Sequence, residues 1–190
     1  SEDRKKLFKI LGKNFNTVGE RVWLKRRFKE YKIEDQDLGQ LKMRMDIIPV
    51  SIALAQAAKE SGWGTSRFAL EGNAIFGQWT WTGTGIAPLD RSKEKTHKIL
   101  KFPILRASVK AYKNNLNTHK GYKSFREKRY SLRKRSKSIS GLKLIHTLDN
   151  YAETGKEYTK ILSQIITQNT LTDFENVTLA NTVVKKELNL

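Results

Sequence analysis

The stretch P-V-S-I-A-L-A-Q-A-A-K-E-S-G-W-G-T-S-R-F-A-L-E-G-N-A-I-F-G-Q-W-T-W-T-G-T-G, Pro49 to Gly85, decides how the chain is organised. Its first half predicts one short buried helix. Pro49 suits a first turn, where a missing N–H is no loss, and the Ala, Leu and Ile positions through Ala58 have high helix propensity or pack readily. After Lys59 come Glu60 and Ser61, then Gly62-Trp63-Gly64, with the first glycine where a left-handed cap would close the helix. A carboxyl at that end meets the negative pole of the helix, and desolvation beside Trp63 acts in the same direction, so both raise its pKa. A carboxyl kept protonated near neutral pH is a general acid, which is how glycoside-cleaving sites make a proton donor. The competing reading is a solvated acid at a fraying helix end.

Downstream, Asn73-Ala74-Ile75-Phe76-Gly77-Gln78-Trp79 and Trp81 set two tryptophans and a phenylalanine around a turn signal. Flat exposed rings suit sugar faces, and the amides of Asn73 and Gln78 suit hydroxyl and acetamido groups. The alternative is that the rings are core; Phe76 is expected there, with at least one tryptophan outside. Asn73, Phe76, Gln78, Trp79 and Trp81 are therefore the substrate-binding candidates.

A-Q-A-A-K-E-S-G-W-G-T-S-R-F-A followed by G-N-A-I-F-G-Q-W resembles the glucosaminidase family of peptidoglycan hydrolases, glycoside hydrolase family 73, most closely its Bax-protein branch. The similarity continues through Lys101 to Tyr122 and Tyr151 to Tyr158, and covers the chain from about Lys5 to Phe174. It implies a mainly α, lysozyme-like α+β fold of two lobes, one helical and one a small β-hairpin lobe, with a cleft between them. It implies Glu60 as the catalytic acid and hydrolysis of the β-1,4 bond after N-acetylglucosamine in peptidoglycan glycan strands. Tyr151 matches the tyrosine of the family's Tyr-Ala-Thr-Asp segment, expected near the acid, where it could orient the acetamido group or stabilise charge at the anomeric carbon. Here Glu153-Thr154 stands in place of Thr-Asp.

Glycoside hydrolysis commonly employs a second carboxylate. Asp90 in P-L-D-R, Glu94 in S-K-E-K and Glu153 are the candidates, unless the substrate's own 2-acetamido group attacks in its place. A lytic transglycosylase relies on one similar acid in a similar fold and is the rival enzyme. A polyanion- or cell-wall-binding module with a disabled cleft is the rival from another class.

That last reading is prompted by composition. The chain carries a net charge of +18 in 190 residues, with a pI near 10.1, which implies attraction to polyanions. The excess peaks in Lys120 to Lys137, with nine Lys or Arg against Glu127 and with Tyr122, Phe125 and Tyr130 interleaved. The segment reads as a helix with Tyr122, Phe125 and Leu132 inward and its charges solvated, able to hold anionic cell-wall or membrane-surface polymers. No specific nucleic acid is expected, and the chain is expected to act as a monomer. With no cysteine, and with His97, His119 and His146 scattered, no disulfide, metal or cofactor is expected. The resemblance implies a periplasmic, cell-envelope or secreted location; Ser1 opens a charged run and no apolar stretch reaches bilayer length, so any export signal is expected outside this sequence.

A hydrophobic content of 38% supports one core. The expected division is bracing helices over 1–48, against the Pro49 helix, a catalytic unit over 49–174 and a tail over 175–190. Apolar stripes predict helices through Leu24, Phe28 and Tyr31, through Leu38, Leu41 and Met45, and through Leu105, Val109, Tyr112 and Leu116. A short helix is expected over Gly141 to Leu148. A final one, through Tyr158, Ile161, Leu162, Ile165 and Ile166, is expected to start after Gly155, with Phe174 tucked back behind it. Trp79 to Ile86 suits a hairpin, to which Thr96 to Phe102 adds a strand.

Overall fold

The computed structural model describes residues 2–80, 85–87, 98–135 and 139–177. Helices α1 (Glu2–Leu11), α2 (Val18–Glu30) and α3 (Leu38–Arg44) precede α4 (Val50–Ser61) and α5 (Arg67–Gly72). Strands β1 (Trp79–Thr80), β2 (Gly85–Ile86) and β3 (Lys98–Leu100) follow, then α6 (Leu105–Thr118), α7 (Lys123–Arg135) and α8 (Lys156–Gln168). Three 3-10 turns, Lys120–Tyr122, Ile145–Tyr151 and Leu171–Asn176, join and close the helical lobe.

Helix α4 is the axis of that lobe because its small and branched residues admit neighbours closely. Ile52 and Ala55 pack with Tyr112 and Leu116 of α6, Phe125 of α7, and Tyr158, Leu162 and Ile166 of α8. Helix α8 begins directly after Gly155, at φ +55°, as its stripe predicts. The α6 stripe is only half buried: Tyr112 and Leu116 are core, while Leu105 and Val109 stay exposed. The first turns of α6 run past the core instead of over it. Where a helix was expected from Gly141, the chain makes a turn and then the 3-10 segment from Ile145. Gly141 presses so closely on α4 that a Cβ there would collide with Ser51 Oγ.

The strands form one three-stranded antiparallel sheet in the order β1-β3-β2, with Ile99 opposite both Trp79 and Ile86. The expected hairpin of β1 with β2 is therefore corrected: β3 sits between them and pairs with each. At the C-terminal end, Glu175 Oε1 accepts from Ser51 Oγ at 2.5 Å and from Gly141 N at 2.6 Å. Leu171 is the side chain that tucks in, whereas Phe174 remains exposed.

The N-terminal helices build a separate small core of Leu7, Phe28, Tyr31, Ile33, Leu41 and Met45. Helix α2 starts with a capping box of Thr17 and Glu20, and Asp37 caps α3 through Gly39 N at 2.6 Å. Their polar ties run to α6 and α7, beyond the bracing of α4 that the sequence suggested. The basic run of α7 is helical with Phe125 and Tyr122 buried, as expected, but two of its cations are interior. Arg126 donates to the carbonyls of Leu116 and His119 at 3.1 and 2.8 Å. Arg129, fully buried, donates to Met43 O, Ile47 O and Asn117 Oδ1 at 2.8 to 2.9 Å. These guanidiniums bond carbonyls at and just beyond the C-terminal ends of α6 and α3. Asp46, also buried, bonds Arg133 at 2.8 Å and lies 3.5 Å from Arg4. The basic helix therefore owes part of its charge to packing.

Candidate active site

Glu60 occupies the last turn of α4, where three successive residues take positive φ: Gly62 at +57°, Trp63 at +58° and Gly64 at +82°. Trp63 N closes on Ala58 O at 2.8 Å. Ser61, buried, bonds Ala57 O and accepts from Gly64 N at 2.8 Å. This turn throws Trp63 outward, where it is 64% exposed. Trp63 is therefore not what shelters Glu60, contrary to the sequence expectation.

The shelter comes from residues distant in sequence. Tyr158 Oη donates to Glu60 Oε1 at 2.8 Å. Gly77 comes so near on the other side that an added Cβ would stand 3.2 Å from Glu60 Oε2, and its φ of +58° favours glycine independently. Burial raises the Glu60 pKa above the ordinary carboxylate value, against the weaker opposing pull of the Tyr158 hydrogen bond and the Lys59 charge. Because Oε1 accepts from a phenol, a protonated Glu60 carries its hydrogen on Oε2, the oxygen beside Gly77.

Behind this acid lies a line of donors all pointing the same way. Tyr112 Oη donates to Gln56 Oε1 at 2.7 Å, and Gln56 Nε2 donates to Tyr158 Oη at 2.9 Å, leaving the Tyr158 hydrogen for Glu60. All three of these residues are buried. Burial pushes the phenols of Tyr112 and Tyr158 upward, so both act as neutral donors. None of the three stood among the sequence candidates. A glutamine inside A-L-A-Q-A-A, four residues before Glu60 and so on the same helical face, was the available signal.

Tyr151, by contrast, stood among the sequence candidates. Its ring stacks on Tyr158 with centroids 5.6 Å apart and planes 4° apart, and its hydroxyl donates to Phe76 O at 3.0 Å. Phe76 is core and stacks on Tyr112 at 3.8 Å, which couples the sheet side to the helical side.

Glu60, Tyr151 and Phe76 open on a groove of about 1230 Å³ between the lobes. Gly77, Gln78 and Leu100 line one wall, and Asn115, His119, Tyr122 and Glu153 line the other. Gln78 Oε1 is buried with no hydrogen-bond partner among the described residues. Glu153 shares the groove with Asp149, an acid that the sequence did not single out. Asn73 is placed differently: it takes φ +50° as the cap of α5 and its Nδ2 donates to Phe102 O at 3.0 Å, away from the groove lining. Trp81, Asp90, Glu94 and the side chain of Trp79 lie outside the described residues.

A helical lobe facing a small sheet across a groove, with one sheltered carboxyl at its wall, places the domain in the lysozyme-like class. The glucosaminidase profile, described as mannosyl-glycoprotein endo-beta-N-acetylglucosaminidase, matches residues 36–171, and the chain belongs to that family. It is 37% identical over 149 residues, 75% of its length, to "Protein bax" of Escherichia coli strain K12. The match spans about half, 53%, of that relative. The fold is similar to the catalytic domain of the autolysin Auto from Listeria monocytogenes, with a TM-score of 0.52 and 17% identity, covering 92% of this chain and 97% of that one.

Proposed function

We propose that the protein is a peptidoglycan hydrolase that cuts the β-1,4 linkage after N-acetylglucosamine. Glu60 Oε2 gives its proton to the leaving oxygen while water is added at the anomeric carbon. The observation that carries this reading is the sheltered carboxyl, its pKa raised by burial, at the wall of a groove of about 1230 Å³. Family membership supports the glycosidic bond as target, and the likeness to an autolysin's catalytic domain suits a cell-wall substrate. In this reading Gln78 accepts from a sugar hydroxyl or acetamido N–H, Tyr151 borders the reacting ring, and Glu153 or Asp149 activates water. The protein works as a monomer at the cell envelope or outside the cell.

Glu60→Gln tests the assignment, because the amide keeps the Tyr158 hydrogen bond and removes the proton. Clearing of purified walls should fall by about 10²–10⁴-fold while the fold is retained. Activity near wild type would remove Glu60 from the role. Mass spectrometry of the fragments should show reducing N-acetylglucosamine ends; anhydro-muramic ends would mean transglycosylation instead. Walls bound but not cut by the wild type would point to a binding module.

A further inference from the structure

A second groove of about 760 Å³ lies between α6 and the N-terminal helices. Ala111 and Asn114 line both grooves, so the second continues the first along one face of α6. At the junction Asn114 Nδ2 donates to Glu30 O at 3.3 Å. There too stands Lys32, held at φ +55° on the Glu60 side while Arg44 bonds its carbonyl at 3.0 Å. Asp3, Arg27, Glu30 and Tyr31 supply the far wall and precede the family-matched residues.

The charge in this extension is unbalanced. Its acids, Asp3 and Glu30, are both paired with Arg27, at 3.3 and 2.8 Å. Arg106, Lys110 and Lys113 have no acidic partner among the described residues, and the exposed Val109 lies among them. The result is a cationic trough with an apolar spot, opening from the groove that holds Glu60.

The geometry points to a binding site for the carboxylate-bearing peptide stems of the same strand whose glycan lies in the first groove. This rests on the reading of the first groove as a peptidoglycan site. Continuity favours the stems over free polyanions, because a stem branches from the strand being cut and is delivered to the trough with it. Small apolar residues flanked by carboxylates complement Val109 and Ala107 between cations.

The test uses full-length protein carrying Glu60→Gln, so that strands are bound without needing to be cut. Sedimentation compares soluble strands with intact stems, freed of phosphate polymers, against strands from which an amidase has removed the stems. The expected result is tighter binding of intact strands by about tenfold, the order for a few exposed charge pairs acting together. Adding Arg106→Glu, Lys110→Glu and Lys113→Glu should bring that ratio near one. The same charge change on the outer face of α7, Lys128→Glu, Lys134→Glu and Arg135→Glu, should leave it standing. Equal binding of both strands by the parent, or loss of preference with the α7 set instead, overturns the stem site. Failure of the wild type to cut either strand would count against the hydrolase reading alone, since the binding ratio does not depend on cleavage.

Discussion

Helices α4 and α7 both carry ionisable groups inward, and they treat them in opposite ways. On α7, Arg129 and Arg126 enter the core among carbonyls from α3 and α6 and near Asp46, so their charge has partners waiting. Burial lowers Arg129 only to about 10, and it stays a cation at neutral pH. On α4, Glu60 meets the neutral phenol of Tyr158 and a glycine, with no cation bonded to it among the described residues, and burial lifts its pKa. One helix fixes a charge for structure; the other leaves an acid undercompensated, which is the condition for reactivity. The comparison also shows why bulk composition misleads, since two cations of the chain's most basic segment, Arg126 and Arg129, are buried in packing.

The largest effect should come from breaking the α7 side of this contrast. Arg129→Met leaves the Met43, Ile47 and Asn117 acceptors unpaired and should cost about 3–5 kcal/mol, read as a lowered denaturant midpoint. A cost under about 1 kcal/mol would mean that the guanidinium is not the tie between α3 and α7. An intermediate effect is expected on the α4 side. Tyr158→Phe strands Gln56 Nε2 without its acceptor, destabilising by about 1–3 kcal/mol. The same change deletes the hydrogen bond that favours ionised Glu60, so the alkaline limb of the activity profile should move to higher pH. Movement to lower pH would contradict the donor role of Tyr158.

The smallest effect is a linkage. Folded Glu60 holds its proton more tightly than unfolded Glu60, so its contribution to stability declines as pH rises from the ordinary carboxylate value through the raised one. Glu60→Gln removes that decline. The variant should gain on wild type between acid and neutral pH in paired denaturation curves, and a variant that loses ground over that range would contradict a raised pKa.

What the sequence disclosed follows the range of the forces involved. Gly62 as a left-handed cap, the start of α8 after Gly155 and the inward Phe125 are local matters of φ and periodicity, and all three could be read directly. The position of Glu60 was legible, but its shelter was not. Tyr158 lies 98 residues away, and Trp63, the neighbour in sequence, is turned outward by its own backbone. The burial of Arg129 was hidden for the same reason, because its carbonyl partners lie 82 and 86 residues upstream. Asn73 looked like a sugar contact because amides serve both substrates and helix ends; only the fold shows its amide spent on Phe102.

The direct test of the central claim is a titration of the Glu60 carboxyl itself, by carbon-detected NMR of side-chain-labelled protein with Glu60→Gln to assign the resonance. The account predicts a midpoint clearly above the ordinary carboxylate value of 4.5. A midpoint at or below that value would show an acid already ionised at neutral pH, and Glu60 could not then be the proton donor.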